Sequence, residues 1–362
     1  MAAASPTSIS MQLMNGDVRV LEVMPDTTIR EMKERMKAWH PSEDPITRQL
    51  TIVHVIRPEG RKLDDDEMVV SALSPADLQV LFTMNPAVEC TNKRTSGYDR
   101  KELRDVRIRD GVQVMELGAF AGCTALLRVS VPVSVAVIGP SAFAGCTALV
   151  DVQIPDSVTR IGDSAFSGCS SLAKVRIPDS VTQIEDSSFY GCSSLAHVKI
   201  PDSVKEIQAY AFAGCKSLRS VTIPDSVDRI GYHAFSACTS LAKVRIPDSV
   251  TTVEHKAFYG CRSLVNVTLP NSATEIGLAA FAECSSLTTL TIPETVTRIR
   301  RSAFSGCSSL TTLIIPDSTY IEDEAFLGCA SLSHLKLPES LKDQLGRLFP
   351  DLPDVPARSA PT

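Results

Sequence analysis

The chain has 362 residues, a formal net charge of -6 at pH 7 and 22% charged residues. This modest acidity disfavours wholesale attraction to nucleic acid or to an anionic membrane. No stretch approaches the roughly 18 consecutive apolar residues of a spanning helix, and Met1 to Thr7 lacks the cationic and apolar regions of an export signal. A cytoplasmic location is therefore expected, with the nucleus also open to a chain of this kind.

Residues 8–85 carry no internal repeat and read as a small α+β domain. Alternating apolar residues over 9–13 and 18–23 predict a hairpin around Asn15-Gly16, a strong turn pair. Pro25-Asp26-Thr27-Thr28 opens a helix with Ile29, Met32 and Met36 on one face, and further strands are expected over 50–56 and 78–82. Residues 86–102 are polar and marked by Gly and Pro, as in a linker.

From residue 103 to 338 a unit of 23 residues recurs about ten times. One clean copy is Leu149-x-x-Val152-x-Ile154-Pro155-Asp156-Ser157-Val158-x-x-Ile161-Gly162-x-x-Ala165-Phe166-x-Gly168-Cys169. Phe recurs from Phe120 to Phe304 at steps of 23, then once more at Phe326 after a step of 22. Such a period predicts a solenoid whose repeats touch only their neighbours. Within a copy, Val175 and Ile177 alternate with Lys174 and Arg176, the period-two pattern of a half-buried strand. Pro178 ends that strand, Asp179-Ser180 supplies the turn, and Val181 and Ile184 return on the opposite wall. A short helical turn, capped by Asp186 or Ser187, is expected to carry Phe189.

Ten of the eleven cysteines, Cys123 through Cys329, occupy the slot three after each Phe. That pattern reads as a buried column of free thiols rather than a disulfide framework. A helix over 340–349, with Leu341, Leu345 and Leu348 on one face, is expected to cap the far end within residues 339–350. The Pro-rich residues 351–362 read as a disordered tail.

The repeat pattern LxxVxIPxSVxxIGxxAFxxC resembles the BspA-like, or Treponema-type, leucine-rich repeat. The resemblance implies a right-handed solenoid of short strands and short helical turns, with the Leu-x-x-Val-x-Ile strand on a concave sheet. It also implies a binding protein, since many members are surface adhesins. Residues 8–85 resemble the ubiquitin β-grasp through Arg19-Val20-Leu21-Glu22-Val23-Met24-Pro25-Asp26-Thr27-Thr28-Ile29 and Arg61-Lys62-Leu63-Asp64-Asp65. By that resemblance Met14, Thr51 and Leu81 would form the receptor-facing patch, and a ubiquitin-receptor type partner would follow.

Catalytic signatures do not emerge. There is no P-loop, dinucleotide-binding Gly run, Gly-x-Ser-x-Gly elbow or His-Glu-x-x-His helix. The six histidines fall in different slots, Asp64-Asp65-Asp66-Glu67 lacks the spacing of a calcium loop, and no cofactor or metal is expected. The outward strand slots are more informative. Lys174, Arg176, His197, Lys199, Lys243 and Arg245 form a basic stretch, which gives way to Asn266, Thr268, Thr289, Thr291 and Thr312. The basic stretch is the candidate site for an acidic protein, unless Asp179 and Asp202 at the sheet edge neutralise it. Few aromatic residues occupy these slots, which argues against single-stranded nucleic acid. The expected function is a non-enzymatic interaction scaffold. The alternative is a surface or secreted adhesin, which glycosylation at Asn266 would favour.

Overall fold

A computed structural model describes residues 103–108 and 110–352, together with the backbone of five earlier strands. The chain divides into two compact units, Met1–Glu89 and Cys90–Thr362. In the first, Thr7–Gln12 pairs antiparallel with Val18–Val23, and Leu50–Ile56 pairs antiparallel with Gln79–Met84. The helix expected after Pro25 lies outside the described residues, as does Met14; Thr51 and Leu81 are placed only as strand positions. A further strand, Ala87–Cys90, falls in the stretch expected to be linker.

The second unit is a β-solenoid. Its principal sheet is parallel and runs in chain order from Asp105–Ile108 through Arg128–Ser130, Asp151–Gln153, Lys174–Arg176 and His197–Lys199. It continues as Ser220–Thr222, Lys243–Arg245, Asn266–Thr268, Thr289–Thr291, Thr312–Ile314 and His334–Lys336. Each strand is shorter than the Leu-x-x-Val-x-Ile segment suggests. Leu149 stands outside the ladder because its N–H closes a turn on the Cys146 carbonyl at 3.1 Å. Two-residue strands such as Arg160–Ile161 and Gln183–Ile184 form the second wall, where Val158, Val181 and Ile184 are buried as expected.

The segment carrying each Phe is not a helix. Ser141, Phe143 and Gly145 donate their N–H groups to Asp163, Ala165 and Ser167 of the next repeat, at 2.7–2.8 Å. The intervening Ala142, Ala144 and Cys146 donate three residues back, to Gly139, Ser141 and Phe143. Every second amide is thus turned outward, which an α-helix does not allow. Left-handed backbone at Ser141 (φ 53°) and Gly145 (φ 72°) produces the alternation. Ser187, expected as a helix cap, occupies this left-handed slot instead (φ 54°).

These turns align the side chains between repeats. The Phe rings stack from Phe120 to Phe326 with centroids 5.2–5.5 Å apart and interplanar angles of 2–12°. Phe349, outside the repeats, adds a last ring 5.1 Å from Phe326. It belongs to the cap, where the single expected helix is two short ones, Glu339–Lys342 and Leu345–Leu348. Leu341, Leu348 and Phe349 are buried there, while Leu345 is only half-buried.

The ten repeat cysteines are free and buried. Each thiol from Cys146 to Cys329 donates to the Phe carbonyl of the preceding repeat, at 3.1–3.4 Å. Cys at this slot is small, apolar and still a weak donor, a combination neither Ala nor Ser offers. The Ser after each Pro-Asp also does more than shape its own turn. Ser157, Ser203, Ser226 and Ser272 donate to the Val carbonyl of the preceding repeat at 2.6–2.8 Å.

One slot is mismatched. Where other repeats bury Ala142, Ala165, Ala211 or Ala234, one repeat buries Ser188, whose Oγ has no hydrogen-bond partner among the described residues. Ser188→Ala should therefore stabilise the solenoid by about 1–3 kcal/mol. Urea unfolding measures this; an unchanged or lowered midpoint would show that the hydroxyl is satisfied.

Candidate binding surface

The outward positions of the principal sheet are fixed by the buried Val between them. In Lys174–Arg176, His197–Lys199, Ser220–Thr222 and Lys243–Arg245 the outer two residues are exposed and the central Val is buried. Parallel register sets Lys174 beside His197 and Arg176 beside Lys199. His197 then meets Ser220, Lys199 meets Thr222, and Ser220 meets Lys243. All six basic residues expected at the site therefore share one sheet face.

Their charges are not equally available. Arg176 pairs with Asp156, and Arg245 with Asp225 at 2.7 Å. These carboxylates come from the Pro-Asp turn of the preceding repeat, not from Asp179 or Asp202. In both arginines the hydrogen bond to that carboxylate, and then its charge, raise the guanidinium pKa. Lys174 lies 4.0 Å from Asp151. Among the described residues His197, Lys199 and Lys243 form no ion pair. Asp179 stands to Lys199 as Asp156 stands to Arg176, twenty residues earlier, yet no ion pair forms there. The Pro-Asp turn after that of Asp225 is used differently: Asp248 accepts the N–H of Asn271 at 2.7 Å.

The uncompensated part of the patch is thus Lys199 and Lys243, with the exposed hydroxyls of Ser220 and Thr222 between them. Hydroxyls can accept or donate and the two ammoniums only donate, so the arrangement suits an oxyanion-rich surface. Beyond it the sheet turns neutral at Asn266, Thr268, Thr289 and Thr291. Among the described residues, no group of three or more His, Cys, Asp or Glu is placed to hold a metal ion, and no helix is long and apolar enough to cross a membrane.

Reasoning from the strand slots alone missed an aromatic group on another face. Tyr190, Tyr210 and Tyr232 make edge-on ring contacts on the outside of the Phe turns, and the exposed Tyr259 follows in the next repeat beside Lys256. Their signal was available: four of the six tyrosines of the chain fall within four consecutive repeats.

Comparison with known proteins follows the architecture. The family described as BspA type leucine rich repeat region (6 copies) matches residues 113–242 and 229–351. No curated protein matches. A leucine rich cell surface protein from Faecalibacterium prausnitzii is similar at 30% identity over 68% of this chain and 82% of that one, with a TM-score of 0.42. A leucine rich repeat protein of T. pallidum shares 34% identity over 50% of this chain and 77% of its own, with a TM-score of 0.37. The pneumococcal vaccine antigen PcpA shares the fold at 22% identity, over 69% of this chain and 73% of that one, with a TM-score of 0.51.

Proposed function

The chain belongs to the BspA-type leucine-rich-repeat family, and we propose that it is a non-enzymatic scaffold whose principal sheet captures an acidic protein partner. One observation carries this reading: Lys199 and Lys243 project from a locked sheet without a carboxylate partner among the described residues, on either side of Ser220 and Thr222. Because the opposite face of each strand is packed in the core, these side chains start from fixed backbone positions and lose little freedom on binding. Arg176 and Arg245 contribute less, since a partner must first compete with Asp156 and Asp225.

A polyglutamate peptide serves as the first probe. Reversing both free charges, with Lys199→Glu and Lys243→Glu, should leave the thermal midpoint intact and slow association about tenfold. Capture by the unaltered protein should also weaken between low and physiological salt as screening shortens. Should Thr289 and Thr291 substitutions weaken capture more than the lysine reversals, the basic face is merely solvated. The same surface would serve an intracellular scaffold or a surface adhesin.

The N-terminal unit fits a second, adaptor role. Its two antiparallel strand pairs are consistent with the β-grasp reading, under which it would recruit a ubiquitin-receptor type partner while the sheet holds the acidic one.

A further inference from the structure

The outside of the Phe turns carries a surface that the sheet scaffold does not use. Tyr190, Tyr232 and Tyr259 are 48%, 50% and 38% exposed, and Tyr210 lies half-buried among them. The Tyr210 ring meets Tyr232 edge-on at 5.2 Å and Tyr190 edge-on at 6.5 Å. It also stacks on the His233 imidazole at 4.6 Å. The Lys256 ammonium stands 5.9 Å from the Tyr259 ring centroid. Burial, and then the charge of Lys256, lower the pKa of His233, so near neutral pH it contributes a ring rather than a charge.

Folding does not require this group. At the slot of Tyr210, other repeats place Ser141, Ser164, Ser187 and Ser302; at the slot of Tyr232 they place Asp163, Asp186 and Ala209. The first of these slots is left-handed in every repeat, with φ of 55° at Tyr210 and 57° at His233. A bulky side chain is uncommon there, and Tyr210 and His233 do not bury themselves in return. Tyr190, Tyr232 and Tyr259 are exposed within a run of four repeats, with Tyr210 half-buried in the repeat between the first two, a concentration of apolar surface that singly scattered residues do not make.

The chemistry of the patch selects its ligand. Rings set edge-to-face make ridges and grooves rather than the flat platform that suits a sugar ring. The backbone N–H groups of Tyr210 and His233 are already given to Tyr232 and His255 of the next repeats, so the patch offers phenol and ammonium donors beside aromatic faces. A polyproline II segment complements this, since its carbonyls are free, its prolines have no N–H, and its ordering cost is low. One turn of that helix spans about 9 Å, somewhat less than two solenoid repeats, whose Phe rings lie 5.4 Å apart beneath the tyrosines. Lys256 has no ion pair among the described residues and would meet a carboxylate.

We propose that the ring cluster of Tyr190, Tyr210, Tyr232 and His233, flanked by Lys256 and Tyr259, docks a proline-rich segment of a partner protein in the polyproline II conformation, with an acidic residue beside its prolines facing Lys256.

The test immobilises the full chain and exposes it to a peptide pool with proline at every third position, a matched pool with alanine there, and a panel of neutral glycans. The proline pool should be retained, enriched in peptides with an acidic end. Tyr210→Ser combined with Tyr232→Ala substitutes what other repeats carry at each slot, so the fold should persist while retention falls about tenfold or more. Lys256→Glu should abolish the acidic preference while leaving the Tyr190, Tyr210 and Tyr232 contacts in place, which keeps the test decisive if the tyrosine variant loses stability. The Lys199→Glu and Lys243→Glu variant should retain the pool as before, separating this surface from the sheet. Equal retention of both pools, unchanged retention by the tyrosine variant, or capture of glycans in place of peptides would overturn the proposal.

Discussion

Between about pH 8.5, where an unfolded thiol ionises, and about pH 12, where Cys169 and Cys329 ionise in the folded chain, the solenoid is expected to unfold. Burial, reinforced by neighbouring thiols, raises Cys192, Cys215, Cys238, Cys261, Cys284 and Cys307 still further. Cys146 is raised first by its hydrogen bond to Cys123 and then by burial. In that window the folded state binds more protons than the unfolded one, so its stability falls as pH rises. Below the unfolded thiol pKa the contribution is complete.

Each strongly shifted thiol removes about 1.4 kcal/mol per pH unit. A column of this length removes on the order of 10 kcal/mol per unit, comparable to the total stability of many domains. The transition should therefore be steep. The decisive readout is the slope. Stability measured by urea at successive pH values should fall less steeply in a variant with Cys192, Cys215 and Cys238 changed to Ala. If the slope is unchanged, the thiols are not what fails in alkali.

The columns were readable because a parallel solenoid sets residue n above residue n + 23. Any slot of constant chemistry, such as Phe143 over Phe120 or Cys169 over Cys146, becomes a line through the core. Contacts between different slots were harder to read. Arg176 reaches Asp156 across 20 residues, Ser203 reaches Val181 across 22, and Cys169 reaches Phe143 across 26. Those offsets depend on how the chain winds within a turn, which periodicity does not encode. For that reason the sequence points to Asp179 and Asp202 as the neutralising carboxylates, one repeat later than the Asp156 that pairs with Arg176. The Phe turn was expected to be helical because its apolar spacing permits a helix, whereas the left-handed backbone at Ser141 and Tyr210 leaves no mark in residue type. Phe349 carries no repeat signature because it completes the ring ladder from outside the repeat. The tyrosines occupy several slots of the repeat, so no single column carries their pattern.

Phe212→Ala is expected to cost about 3–5 kcal/mol, the range for removing a fully buried aromatic side chain. Phe212 is inaccessible to solvent and stacks on Phe189 and Phe235, each at 5.4 Å and within 10° of parallel. Such ring pairs contribute about 0.5–1.5 kcal/mol beyond their burial, and the substitution removes two of them. Phe120 stacks on only one ring of the ladder, Phe143 at 5.4 Å, so Phe120→Ala should cost less. Position should also change the form of the transition. Stability in a solenoid passes only between neighbours, so a gap at Phe212 weakens coupling between the repeats on either side, whereas one at Phe120 loosens an end. Urea unfolding of the central variant should broaden, and hydrogen exchange should quicken first in the repeats around residue 212. Equal, small losses for the two variants would show that the ring ladder is not what joins the repeats.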